Sequence, residues 1–171
     1  MLLIVLFICG HTAGAAAAKA AKRESAPPPL RSFDRQLMEI VEQGLARSAT
    51  LRKLEDHLRR SQIVVYLVAR EVPSAVGRTR LIGAGGGWRY LLIDLDDRLP
   101  RIELLALLGH ELQHAVEIAD SADVVDQSSL VALYQRIGME QKERSGGVAF
   151  ETRHAIETGQ RVFSELVGLN W

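Results

Sequence analysis

His110-Glu111-Leu112-Gln113-His114 sets two imidazoles and a carboxylate side by side within a long apolar run. On a helix, side chains four residues apart project from the same side, one turn apart, so His110 and His114 can grip one Zn²⁺ between them. Glu111 then stands where it can take a proton from a water that the metal polarises. Two histidines alone leave such a site incomplete, because a catalytic zinc normally takes three protein ligands and keeps a further position open.

Three residues compete for the third ligand. Glu151 falls on a later amphipathic segment, at the border between its apolar and polar sides, so a helix crossing the histidine face would carry it over the metal. Asp120 would be brought round by a sharp turn after the motif, but that turn calls for a glycine midway and Glu117 stands there. His154, on the same segment as Glu151, could replace it or serve as a donor near the substrate.

The elements that must position these residues follow from the hydrophobic pattern. Phe33, Leu37, Ile40, Val41 and Leu45 recur at helical spacing and predict an amphipathic helix over Phe33–Ala46; Leu51, Leu54 and Leu58 predict a second over Ala49–Arg60. Ile63–Ala69, Arg78–Ile82 and Trp88–Leu95 are β-branched or aromatic runs of strand length, with a break at Pro73. Gly83–Gly87 joins the last two and is too short for a crossover, so it predicts a hairpin; a phosphate cradle would need a helix, not a strand, to follow. Pro100 opens a helix running to about Ala119. Its broad apolar arc (Leu104, Leu105, Leu108, Leu112, Ala115, Val116, Ala119) lies opposite His110 and His114, which therefore face solvent or a cleft built over that side. Further helices are expected over Ser121–Gly138 and Val148–Val167, with a polar, mobile loop over Met139–Gly147 between them. Glu103 and Glu117 read as solvated charges, and Trp88 and Tyr90 as strand packing. The predicted fold is α+β: two N-terminal helices, a small antiparallel sheet of about three strands, then the motif helix and two more.

A chain of 171 residues with 25% charged residues and 47% hydrophobic ones is a globular domain's worth, able to bury a core without staples. Its formal net charge of +0 gives no electrostatic case for nucleic acid or an anionic membrane surface as partner. The single cysteine, Cys9, excludes an intrachain disulfide and a multi-cysteine zinc site. Met1–Ile8 is almost wholly large and aliphatic and small residues follow, so residues 1–18 read as a secretory signal peptide or N-terminal anchor, although no basic residue precedes the run. Residues 19–32, with Pro27-Pro28-Pro29, read as a flexible tether, and 33–171 as one domain. The expected setting is outside the cytoplasm, periplasmic or secreted, with a possible membrane tether through residues 1–18.

From about Arg78 to Val167 the chain resembles the gluzincins, the H-E-x-x-H zinc peptidases whose third ligand is a glutamate on a later helix, and looks most like their small members. The resemblance rests on His110, Glu111 and His114, and on Glu151 in Phe150-Glu151-Thr152-Arg153-His154-Ala155. It implies zinc held by His110, His114 and Glu151, Glu111 as general base, and a peptide or protein substrate held in extended form by edge pairing to Trp88–Leu95. Many gluzincins carry an acidic residue one turn after the glutamate ligand; here that position is Ala155. Support for the histidines would then come from a backbone carbonyl, Glu117, Asp94 or Asp123. Tyr134 and His154 are the candidates for steadying the oxyanion. The expected function is that of an exported zinc metallopeptidase; the competing expectation is a non-catalytic exported or membrane-tethered interaction module with a structural or vestigial metal site.

Overall fold

Glycine and charge patterning decide the order of the strands. Gly86 and Gly87 adopt positive φ of 59° and 80°, as a two-residue hairpin turn of matching twist requires, and they close β3 (Gly77–Gly85) onto β4 (Trp88–Leu95) as an antiparallel pair. β4 supplies Leu91, Ile93 and Leu95, all fully buried, whereas β3 carries glycines and arginines. The apolar strand takes the interior of the sheet and the polar one its edge. β2 (Ile63–Ala69) consequently pairs with β4 in parallel, Val65 beside Leu91 and Leu67 beside Ile93, and the sheet order is β1-β2-β4-β3. The sheet is thus mixed, with four strands, and not the antiparallel sheet of about three that the hairpin alone suggested. β1 (Leu30–Arg31) is a two-residue strand parallel to β2, and Leu30 is buried, so the end of the expected tether belongs to the domain. The computed structural model describes residues 28–72, 77–142 and 148–168; the expected signal or anchor, the tether up to residue 27, Pro73 and Gly146-Gly147 lie outside them.

All five helices among the described residues are locally specified. α1 (Arg35–Arg47) begins two residues later than the periodicity implied, because Asp34 accepts hydrogen bonds from the backbone of Gln36 and Leu37; Phe33 stands ahead of that cap, fully exposed. α2 (Ala49–Arg60) is capped by Ser48. α3 (Arg101–Asp120) carries the motif. α4 (Gln127–Ile137) is shorter than the expected Ser121–Gly138, since Asp126 and Ser129 form a capping box that fixes its start. The next stretch departs most from expectation. Met139–Lys142 is a strand (β5) and pairs antiparallel with β6 (Val148–Glu151), so α5 starts only at Arg153, capped by Thr152. Glu151 therefore sits at the end of a strand, not on a helix. The run Val148–Phe150 suits both states; cross-strand pairing and the Thr152 cap settle it.

The core lies between one face of the sheet and the helices, joining Leu37 and Val41 of α1, Leu51 and Leu58 of α2, Ile63, Val65 and Leu67 of β2, Leu105, Leu108 and Leu112 of α3, and Val162 and Leu166 of α5. Two contacts fix α3. At its crossing with α5, small residues face each other: a Cβ on Gly109 would stand 2.6 Å from Val162 Cγ2, and one on Gly159 would stand 3.2 Å from the Ala106 carbonyl oxygen. At its C-terminus, the Arg89 guanidinium of β4 donates to the carbonyls of Ile118 (2.5 Å), Ser121 (2.7 Å) and Ala119 (3.0 Å), placing a cation at the negative end of the helix.

Candidate metal centre

α3 is buried on more sides than its apolar arc alone would require. Besides Leu104, Leu105, Leu108 and Leu112, the polar side chains of Glu111, Gln113 and His114 are buried. The histidine face is covered by Glu151 at the end of β6 and by α5, with the edge strand β3 lying against Glu111 beside it, so the histidines face a cleft and not open solvent.

In that cleft the Glu151 carboxylate reaches both imidazoles. Its Oε2 lies 3.1 Å from His110 Nε2 and its Oε1 3.3 Å from His114 Nε2. The two rings meet edge to face with centroids 5.0 Å apart. One donor atom from each residue falls within 4.8 Å of the others, a separation that a single small cation can span. Two imidazoles and a carboxylate are a donor set suited to Zn²⁺. They are the one such group of three or more among the described residues. The other two candidates for a third ligand lie elsewhere. Asp120 is exposed and pairs with His57 across 2.7 Å, and His154 is exposed with its Nδ1 3.2 Å from the Gln113 side-chain amide.

Around these three, a hydrogen-bonded surround is built. His114 Nδ1 lies 2.9 Å from Glu117 Oε2, so the ring's other nitrogen, Nε2, is the one left for a metal. Glu117 Oε1 accepts the Thr152 hydroxyl at 2.7 Å, and the Thr152 amide donates to Glu151 Oε1 at 2.8 Å. The Glu117 side chain is only 9% exposed, so it is not the solvated charge that its sequence position suggested. Asp94 is instead held by Arg70 and Arg80, both at 2.8 Å, and Glu103 is on the surface. Tyr134 packs edge-on beneath His114, donates to the His114 carbonyl at 3.3 Å and stacks on Phe150. Its hydroxyl is thus turned to the helix backbone, and of the two oxyanion candidates His154 is the exposed one.

Burial and charge act together on the acids and bases. Burial drives the Glu111 carboxyl above the ordinary range, against the opposing pull of His114 and the Thr79 hydroxyl, which donates to Oε2 at 2.7 Å. For His114, burial works against a charged ring, yet the Glu117 and Glu151 hydrogen bonds outweigh it and lift its pKa to about 9. Burial likewise works against a charged Glu151, and bonds to His110 and His114 overcome it, holding the carboxyl at about 2. Burial, with Glu117 and Glu111 nearby, pushes the Tyr134 phenol well above its usual value.

Thr79, Gly77, Gln113 and Thr152 are the site-lining residues that periodicity could not single out. Gly77 and Thr79 lie on β3, and β3, not β4, is the edge of the sheet; β4 has β2 on one side and β3 on the other. Trp88–Leu95 thus has no free edge for a peptide, which corrects the strand that the resemblance pointed to. An apolar groove of about 510 Å³ between α3 and α5, lined by Ala106, Leu107, Ile156, Gly159 and Phe163, runs up to His110. No protein family matches the chain, and neither curated proteins nor solved structures yield a match.

Proposed function

We propose that the protein is a zinc-dependent peptidase in which His110, His114 and Glu151 hold the metal and Glu111 is the general base. The observation that carries this reading is the convergence of the Glu151 carboxylate on the two Nε2 atoms of an H-E-x-x-H helix, with the intervening Glu111 kept buried beside them. When bound, zinc would polarise a carbonyl oxygen and lower the pKa of water toward neutrality. Glu111 accepts the proton of the attacking water and passes it to the leaving amine, and its raised carboxyl pKa suits a group that must both take and return a proton. Thr79 fixes one carboxylate oxygen and leaves the other for that exchange. Among the described residues the outer edge of β3, which carries Gly77 and Thr79 against Glu111, has no neighbouring strand and offers backbone groups to an extended peptide, and the groove ending at His110 offers room for an apolar side chain. An exported setting rests on the apolar run Met1–Ile8; no helix among the described residues is long and apolar enough to cross a membrane.

The competing reading is a non-catalytic interaction module with a structural or vestigial metal site. Structural zinc is closed by four protein ligands, whereas three donors converge among the described residues, which favours the catalytic reading. X-ray absorption on the zinc-loaded protein separates the two. Three protein ligands and an exchangeable oxygen support the peptidase, and four protein ligands or no retained zinc support the module.

A further inference from the structure

The hydrogen bonds around the site close on themselves. His114 Nδ1 meets Glu117 Oε2 at 2.9 Å, Glu117 Oε1 accepts from the Thr152 hydroxyl at 2.7 Å, the Thr152 amide donates to Glu151 Oε1 at 2.8 Å, and that same oxygen faces His114 Nε2 at 3.3 Å. The circuit joins two elements that the chain brings together from a distance, the motif helix α3 and the junction of β6 with α5. Three of its four members are buried, His114 and Thr152 at 6% and 4% exposed and the Glu117 side chain at 9%, and the fourth, the Glu151 side chain, is 20% exposed toward the cleft. The Thr152 hydroxyl has one proton, which goes to Glu117, while its oxygen accepts the Ala155 amide at 3.1 Å as the cap of α5. Its orientation is thereby fully assigned. Glu117 thus links the second histidine to the residue beside the third ligand.

We infer that Glu117 and Thr152 are positioning residues that assemble the second and third ligands as one unit before any metal arrives. Glu117 holds the His114 ring with Nε2 toward the cleft, and through Thr152 it fixes where Glu151 stands. The pair does for this chain what an acid one turn beyond the ligand glutamate, where Ala155 stands, would otherwise do. This inference rests on the metal reading of His110, His114 and Glu151, and it adds that ligand geometry is set from the motif helix.

The test compares wild type, Glu117→Gln, Thr152→Val and Thr152→Ser by zinc affinity in chelator competition, by thermal unfolding, and by the nitrogen and proton resonances of the His114 ring. Glu117→Gln is expected to weaken zinc binding by about 10–100-fold with the melting curve of the metal-free protein little changed, and to move the hydrogen-bonded His114 Nδ1 proton upfield. Thr152→Ser keeps the hydroxyl and restores wild-type affinity to within about threefold, whereas Thr152→Val does not. Zinc affinity within twofold of wild type in Glu117→Gln, or an unmoved His114 Nδ1 proton, overturns the inference while leaving the metal site standing. Failure of the wild-type protein itself to retain zinc overturns both.

Discussion

The Thr79 hydroxyl donates to Glu111 Oε2 at 2.7 Å, so the edge strand of the sheet and the motif helix meet at the one carboxylate proposed to move a proton. The backbone is equally close there: a Cβ on Gly77 would stand 2.5 Å from Glu111 Oε1. Thr79→Val removes the donor and leaves the volume, and is expected to lower kcat by about tenfold or more without altering zinc content. Gly77→Ala must displace the Glu111 carboxylate together with the Leu107 side chain, or else β3, and is expected to cost at least as much activity. Steady-state kinetics beside metal analysis of each variant check both, and loss of zinc in Thr79→Val would place Thr79 in the metal site instead.

Metal content also distinguishes the carboxylates. Glu151→Ala should weaken zinc binding by more than the roughly 10–100-fold typical of an orienting residue, because it removes a ligand. Asp120→Ala should leave zinc bound and change stability by no more than about 1 kcal/mol, since it breaks only an exposed pair with His57. Dialysis against buffered zinc followed by elemental analysis gives the comparison directly.

Away from the cleft, Glu165 ties α5 to the start of α2. Its carboxylate accepts the hydroxyls of Ser48 and Thr50, at 2.5 and 2.8 Å, and the Thr50 amide at 3.1 Å. Burial works against the charged form, but these bonds and Arg161 hold the carboxyl below its ordinary value. A carboxyl depressed on folding stabilises the protein above its unfolded pKa, about 4.3, and that contribution fades as pH falls through the lower folded value. Glu165→Gln is therefore expected to cost about 1 kcal/mol at pH 7, with the gap to wild type closing below about pH 4. Urea midpoints measured across that range test the sign.

At the α3–α5 crossing, Gly109→Ala pushes a methyl to within 2.6 Å of Val162 Cγ2. Overpacking of this kind costs about 1–3 kcal/mol. Val162→Ala combined with it should recover part of that loss in a double-mutant cycle of chemical unfolding, a coupling absent if the helices were not in contact.

The helices α1, α2 and α3 and the β3–β4 hairpin were legible because their periods, caps and glycines are local signals. The parallel pairing of β2 with β4 was not, since it depends on which hairpin strand is apolar enough to occupy the interior. The strand β6 was hidden because Val148–Phe150 continues the apolar spacing of α5 backwards without a break. Glu151 could be named as a ligand candidate from either state, which is why the candidate survived a mistaken helix. Glu117 read both as a solvated charge and as one of several supports open to the histidines, because the wheel of α3 does not show what packs over its polar side. Thr79 carries no spacing signal at all, and Thr152 offers only the local signal of a helix cap; its bond to Glu117 is a tertiary contact.

The most direct test of the central claim is a side-by-side measurement of zinc content and peptide hydrolysis in the wild type and in Glu111→Gln. The amide keeps the size of the carboxylate and can still accept from Thr79, but it cannot take up a proton. The account predicts one zinc per chain in both proteins and hydrolysis lowered by about 10²–10⁴-fold in the variant. Undiminished hydrolysis by Glu111→Gln, or a wild type that holds zinc yet cleaves no peptide in a broad mixture, would contradict it.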